Sequence, residues 1–377
     1  MAAAKVIDLF SGAGGFTLGA IWAGFDVTLC IDNDDDLTST HDINFPGVPV
    51  EDRDLSKLDA EKVPKLAGIS REKIIGIIGG PPCQGFSEIG KRDSNDDRNT
   101  LVERYFYYVR ALRPSFFVME NVPGLLHEHG RARLENGLQK LPDDYEVFKP
   151  NILNATKYGL PTSRNRVFVI GYLPKQVSSL TWDDLEPSET REVTVHDALH
   201  DLPSPADAER IGTYSWGMYD GNQEPESEYA QALREPPDAY LSTEDIREKL
   251  NAGKVSGFMG TNHTERVVER FSDVNQGERD EVSKCPRLKW TDQCGTLRAG
   301  TGSDRGAYQA IRPIHPDEDR VITVREAARL QGFPDWFQFD DTKWHSFRMI
   351  GNSVPPVLAH FILARIREQI TVEPHRR

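Results

Sequence analysis

Four cysteines in 377 residues (Cys30, Cys83, Cys285 and Cys294) are too few and too scattered for a disulfide framework or a zinc cluster, since no two stand in a CxxC spacing. A reducing, intracellular compartment is the expectation that follows. Long hydrophobic runs are missing too. None approaches the length that crosses a bilayer, and Met1-Ala2-Ala3-Ala4-Lys5 leads into an apolar strand pattern without the features of a secretory signal. A soluble, cytoplasmic protein with no membrane partner is expected. Basic excess is also lacking: the formal net charge is −14, which by itself disfavours a phosphate-rich partner. The excess of acid is local, however. Residues 183–249 carry 18 acidic and 5 basic side chains, so the rest of the chain is close to neutral. An acidic insertion on a neutral body still permits a basic cleft, and composition leaves the partner open.

What is present is an ordered alternation. The length suggests two domains, or one large domain with an insertion. Through residue 171, strand patterns at Val6 to Phe10, Val27 to Ile31, Ile74 to Ile78, Phe116 to Met119 and Val167 to Ile170 alternate with amphipathic segments, among them a helix over Leu101 to Leu112. That pattern specifies an α/β class: a mostly parallel sheet with helices on both faces. From 172 to 320 the periodicity fades, with Trp182, Trp216, Phe258 and Trp290 as anchors for a smaller, irregular domain. From 321 to 377 order returns. Thr323-Val324-Arg325-Glu326 has the form of a capping box, Gly332 and Pro334 end that helix, and an amphipathic helix follows Gly351-Asn352-Ser353-Val354-Pro355-Pro356.

In open α/β sheets ligands bind beyond the carboxyl ends of the strands. After the first predicted strand come Ser11-Gly12-Ala13-Gly14-Gly15, after the second Asp32, after the third Gly79-Gly80-Pro81-Pro82-Cys83, after the fourth Glu120-Asn121. Four chemically suggestive segments therefore fall on one edge. The glycines would let backbone approach a ligand at a helix start, and Asp32 stands where a carboxylate accepts from ribose hydroxyls. Position 17 is threonine, so this is not the dinucleotide pattern GxGxxG. A turn built of two glycines and two prolines would hold Cys83 rigidly, as a nucleophile or as a structural thiol. Glu120, following an apolar strand, has the setting that raises a carboxyl pKa, as a general acid needs; tying down the next loop is the other reading. Arg164 and Arg166 alternate onto one face, with an anionic or carbonyl-bearing substrate as their functional option. His196-Asp197-Ala198-Leu199-His200 superficially resembles a zinc helix. Without an evident third ligand it reads as a helix start capped by Thr194 and Asp197, and no metal is expected.

Together these segments resemble the DNA (cytosine-5)-methyltransferase family, over roughly residues 5–171 and 296–365. Asp8-Leu9-Phe10-Ser11-Gly12-Ala13-Gly14-Gly15-Phe16 is similar to its S-adenosylmethionine motif, and Pro81-Pro82-Cys83-Gln84 to its nucleophile motif. Glu120-Asn121-Val122, Arg164-Asn165-Arg166, Arg325 to Pro334 and Gly351 to Pro356 match its later motifs in order. The resemblance implies a Rossmann-like methyltransferase sheet (1–171, completed by 321–377) and a target recognition domain (172–320). It implies Cys83 as nucleophile toward a flipped cytosine, Glu120 as acid, and Arg166 with Arg164 behind it holding the base. It implies cofactor contacts from Phe10, Ser11, Gly12, Gly14, Gly15, Phe16, Asp32, Asn33, Asp54, Leu55, Pro82, Asn352, Ser353 and Val354. Gln84, Ser87, Ile89 and Arg98 would belong to a loop closing on duplex DNA, with Ile89 as the wedge. The family usually has Gln where Thr162 stands, and an apolar or aromatic residue where Asn33 stands. A monomer of restriction–modification type is implied, with a cognate endonuclease acting separately. A transfer-RNA methyltransferase and a catalytically silent relative are the rival readings.

Overall fold

In a computed structural model, the structure describes residues 4–82, 101–219, 225–299 and 312–371. Eight strands form the central sheet: β1 (Ala4–Leu9), β2 (Phe25–Asp32), β3 (Val50–Asp52), β4 (Ile74–Gly79), β5 (Phe116–Asn121), β6 (Glu146–Val147), β7 (Asn151–Asn154) and β8 (Asn165–Tyr172). Their order is β3-β2-β1-β4-β5-β8-β6, with β7 also pairing β8. The pairings from β3 to β5 are parallel, whereas β8 runs antiparallel to β5. The order reverses at β1, with β2 on one side and β4 on the other, which opens a crevice at their carboxyl ends.

The sheet is covered on both faces. Along β5, Phe116 and Val118 point into one core and Phe117 and Met119 into the other. β8 alternates likewise, with Phe168 and Ile170 on the first side, Val167 and Val169 on the second. Strands buried on both faces read as unbroken apolar runs, as Ile74–Gly79 does. On one face, α1 (Gly15–Trp22) packs with the C-terminal helix; on the other lies α2 (Leu101–Leu112), with the bounds its periodicity specified.

Beyond β8 the chain forms α3 (Val195–Leu199), a three-stranded antiparallel sheet (Glu209–Ile211, Tyr214–Met218, Lys254–Ser256) and α4 (Glu228–Arg234). Trp216 and Phe258 are buried there as anchors, whereas Trp182 packs on Phe148, with ring centroids 5.3 Å apart. Val177, Leu180, Leu185, Val195 and Leu199 join the main core, and a small separate cluster gathers Phe271, Cys285, Ile314 and Val321.

The C-terminal segment supplies α5 (Val324–Leu330), α6 (Lys343–Asn352) and α7 (Pro356–Glu368). The capping box expected at Thr323 and Glu326 is present, and Gly332 follows α5 with φ 84°. Segment 343–368 is apolar and long enough to cross a membrane, but two separate helices make it up, and 67% of its most apolar window is buried inside the protein. It is core. Arg329, fully buried, bonds Asp335, Asp201 and Tyr219, tying α5 to residues 201–219.

α1 and α7 meet at Gly19. A Cβ added there would lie 2.4 Å from that of Ala359 and 2.8 Å from the carbonyl oxygen of Pro356. Gly19→Ala should therefore cost about 1–3 kcal/mol through overpacking, read as a lowered urea midpoint with unchanged slope.

Candidate active site

The turn after β1 is the most constrained piece of backbone. Phe10 adopts φ 61°, Gly12 52° and Gly14 87°, so three residues in five are left-handed before α1 begins. A phenylalanine held there is strained, and such strain concentrates where chemistry happens. The amides of Phe10 and Ser11 both donate to the Ile31 carbonyl, at 2.8 and 3.3 Å, drawing the turn onto the end of β2. There Asp32 accepts from the amides of Gly12 (2.8 Å) and Asp34 (3.0 Å). Burial raises its pKa against the pull of those bonds.

The far chain end closes on this turn. A Cβ at Gly15 would stand 2.3 Å from the Val354 carbonyl oxygen, so the glycine is what permits the approach. Arg348, from α6, bonds Asp34 and Asp36 just beyond β2. Arg164 holds the joint from below: fully buried, it donates to the carbonyls of Leu297 (3.2 Å), Gly351 (2.8 Å) and Ser353 (2.9 Å).

Glu120 and Arg166 form the charged centre. Register pairs Glu120 with Phe168 and Asn121 with Val167, so Arg166 lies diagonal to Glu120 on the same face. Arg166 Nε stands 2.8 Å from Glu120 Oε1, with side chains 11% and 8% exposed. Burial pushes the Glu120 carboxyl upward, and the two arginines oppose that shift without reversing it. The expected desolvation is thus present, together with a cation to orient the group. β4 leads into this centre: a Cβ at Gly80 would lie 3.4 Å from Glu120 Oε2, and Asn121 Nδ2 donates to the Pro81 carbonyl at 3.0 Å.

The edge therefore gathers Phe10 to Gly15, Asp32, Pro82, Glu120, Arg166 and Ser353 to Val354, on segments that the sheet order and these bonds join. Asn33 and Asn352 are exposed beside it. Asp54, pulled down to about 2 by Lys57 and Ser56, lies at the rim. Two expected cofactor residues turn inward. Phe16 (3% exposed) sits in the core because its helix face packs on the sheet, and Leu55 (3%) sits in the opposite core, its carbonyl bonded by Arg104 and Tyr108. Thr162 is buried, its hydroxyl 3.5 Å from the Gly295 carbonyl. Cys83, Gln84, Ser87, Ile89 and Arg98 lie outside the described residues.

Sequence reasoning gave Asp8 no role of its own. It lies fully buried under the glycine turn, accepting from Thr17 Oγ1 at 2.7 Å, and desolvation raises its pKa to about 7. Its signal was an acidic residue interrupting an apolar strand. The Arg348–Asp34 pair was also missed, because 314 positions separate the partners.

The mostly parallel sheet, its crevice and its carboxyl-edge chemistry define a Rossmann-like methyltransferase fold. The family model of the C-5 cytosine-specific DNA methylases matches residues 4–368. The chain belongs to this family and is a DNA (cytosine-5)-methyltransferase. It is 38% identical to the type II methyltransferase M.XorII of Xanthomonas oryzae pv. oryzae, over 98% of this chain and 86% of that one. To M1.HphI of Haemophilus parahaemolyticus it is 33% identical, over 97% and 87%. A solved structure assigned as a prophage DNA modification methyltransferase (E. coli) superposes with TM-score 0.85 at 38% identity, covering 97% and 99%. The S. pombe Dnmt2 methyltransferase shares the fold, with TM-score 0.62 at 17% identity over 97% and 98%.

The Asp8 shift has a sign. The fold favours its protonated form, so this contribution to stability is full below the ordinary carboxylate value of 3.8 and is lost as pH rises to about 7. Asp8→Asn, which still accepts from Thr17, should remove that loss. Denaturation at pH 5 and pH 8 should show the variant gaining on the wild type at the higher pH.

Proposed function

We propose that the Glu120–Arg166 centre receives a cytosine flipped out of duplex DNA, beside a methyl donor seated over the glycine turn. The observation that carries this reading is the buried ion pair next to Gly80, three residues before Cys83. A stacked base is out of reach of any thiolate, so flipping is required. Cys83 adds to carbon 6, its lone pair forming the S–C bond while the ring's electrons move toward carbon 5 and the N3 side. Glu120, whose carboxyl burial pushes upward against the pull of Arg166 and Arg164, donates a proton to the ring nitrogen and stabilises that charge. Arg166 holds the carbonyl edge and fixes the Glu120 carboxyl. Carbon 5 then takes the methyl group, loses its proton, and elimination of Cys83 restores the double bond.

The donor class of methyltransferases is S-adenosylmethionine, whose sulfonium supplies the methyl group, and the crevice residues fit it. Ser11 Oγ is buried at the glycine turn, with no hydrogen bond stronger than its approach to the Cys30 thiol, and is available to a cofactor's polar end. Asp32 presents its carboxylate to ribose hydroxyls, with Phe10, Gly12, Gly14 and Gly15 shaping the turn. Asn33, Asp54 and Pro82 line the rim, and Asn352, Ser353 and Val354 close the site. No metal is needed for this chemistry.

Residues 1–171 and 321–377 act as the catalytic body, 172–320 as the target recognition domain. Gln84, Ser87, Ile89 and Arg98 belong to the loop that closes on DNA. The protein acts as a monomer on double-stranded DNA in the bacterial cytoplasm, beside a separately acting endonuclease.

With labelled S-adenosylmethionine, counts should enter duplex DNA and little should enter transfer RNA. Cys83→Ser should abolish transfer, and Glu120→Gln should lower kcat by roughly 10²–10³-fold. DNA containing 5-fluorocytosine should trap a covalent adduct with the wild type alone, because no proton can leave carbon 5. Undiminished transfer by Cys83→Ser would overturn the mechanism.

A further inference from the structure

The histidine pair set aside in the sequence for want of a third ligand acquires one in the fold. His196 lies on α3 and His200 caps its end, one helical turn apart on one face. Their rings stack, with centroids 4.2 Å apart and planes inclined by 25°. Across from them stands Glu226, 26 positions beyond His200. One donor atom from each of the three residues lies within 4.8 Å of the other two.

We propose that His196, His200 and Glu226 form a binding site for a divalent cation of the Zn²⁺ class, clamping α3 to the start of α4. Two imidazole nitrogens and one carboxylate oxygen suit a borderline metal, with water as the fourth ligand of a tetrahedron. This proposal is independent of the methyl-transfer reading.

The surroundings hold the three groups in place. The Asp197 carboxylate, the other candidate ligand on α3, is spent in the capping box, accepting from the Thr194 amide (2.8 Å) and hydroxyl (2.7 Å). Ser227, adjacent to Glu226, donates through its hydroxyl to the Asp197 carbonyl at 2.5 Å and caps α4. That bond fixes the backbone of Glu226 opposite the histidines. Among the described residues no lysine or arginine forms an ion pair with Glu226. Trp290 sets its ring edge-on to both imidazoles, 5.6 and 6.2 Å away, and its carbonyl accepts the His196 amide at 3.0 Å. The indole thus forms one wall, held in turn by Asp317 at 2.8 Å.

An untagged, chelator-treated chain titrated with ZnCl₂ in a calorimeter should bind one equivalent with micromolar affinity and gain a few degrees in Tm. Zn²⁺ should also change the tryptophan emission through Trp290. His196→Gln/His200→Gln should lose the equivalent and the Tm gain, while retaining methyl transfer as evidence of folding. Glu226→Gln, at an exposed position, should weaken binding about tenfold or more. Absence of binding by the wild-type chain, or equal stoichiometry and Tm gain in the double histidine variant, would overturn the site whatever the outcome for methyl transfer.

Discussion

One buried guanidinium joins the parts of this molecule that form the crevice. Among the described residues Arg164 has no carboxylate in contact; its bonds go instead to the carbonyls of Leu297, Gly351 and Ser353. Burial and the neighbouring Arg166 both disfavour its charge, and the negative field of Glu120 offsets them in part. A cation so placed is tolerable only while all three carbonyls stay where they are. The position of residues 351–353, and with them the Val354 carbonyl against Gly15, is therefore specified by the residue just before β8. Segments far apart in sequence are thereby held against each other.

The same economy of water governs the carboxylates. Asp8, Asp32 and Glu120 all lie at or under the carboxyl edge, and burial raises the pKa of each. Their bonding separates them. Asp32 takes two backbone amides, Asp8 a threonine hydroxyl, and Glu120 an arginine. One edge of one sheet thus holds three acids whose proton affinity burial raises, each held by a different kind of neighbour.

The sheet was legible from sequence because parallel strands must be apolar on both faces, so Ile74 to Ile78 and Phe116 to Met119 could hardly be anything else. The carboxyl-edge rule then located Asp32 and Glu120 at the ends of their strands without any contact being known. Local signals were equally readable: both capping boxes, at Thr194 and Thr323, formed as their spacing indicates. What could not be read depends on long-range approach. The antiparallel return of β8 decides that Arg166 meets Glu120 while Arg164 does not. The Glu226 carboxylate reaches His196 and His200 across a stretch without periodicity. Phe16 and Leu55 belong to segments the motif identifies, but the facing of a side chain is fixed by packing, and both face inward.

Because one wall of the crevice comes from the first strands and the opposite wall from residues 348–354, the crevice cannot close on the ribosome until residue 354 has emerged. Contacts spanning such separations form late and fold slowly. A prematurely terminated product would carry the glycine turn without its closing wall. A product that ends before Arg348 would lack both the Arg348–Asp34 bond and the approach of Val354 to Gly15.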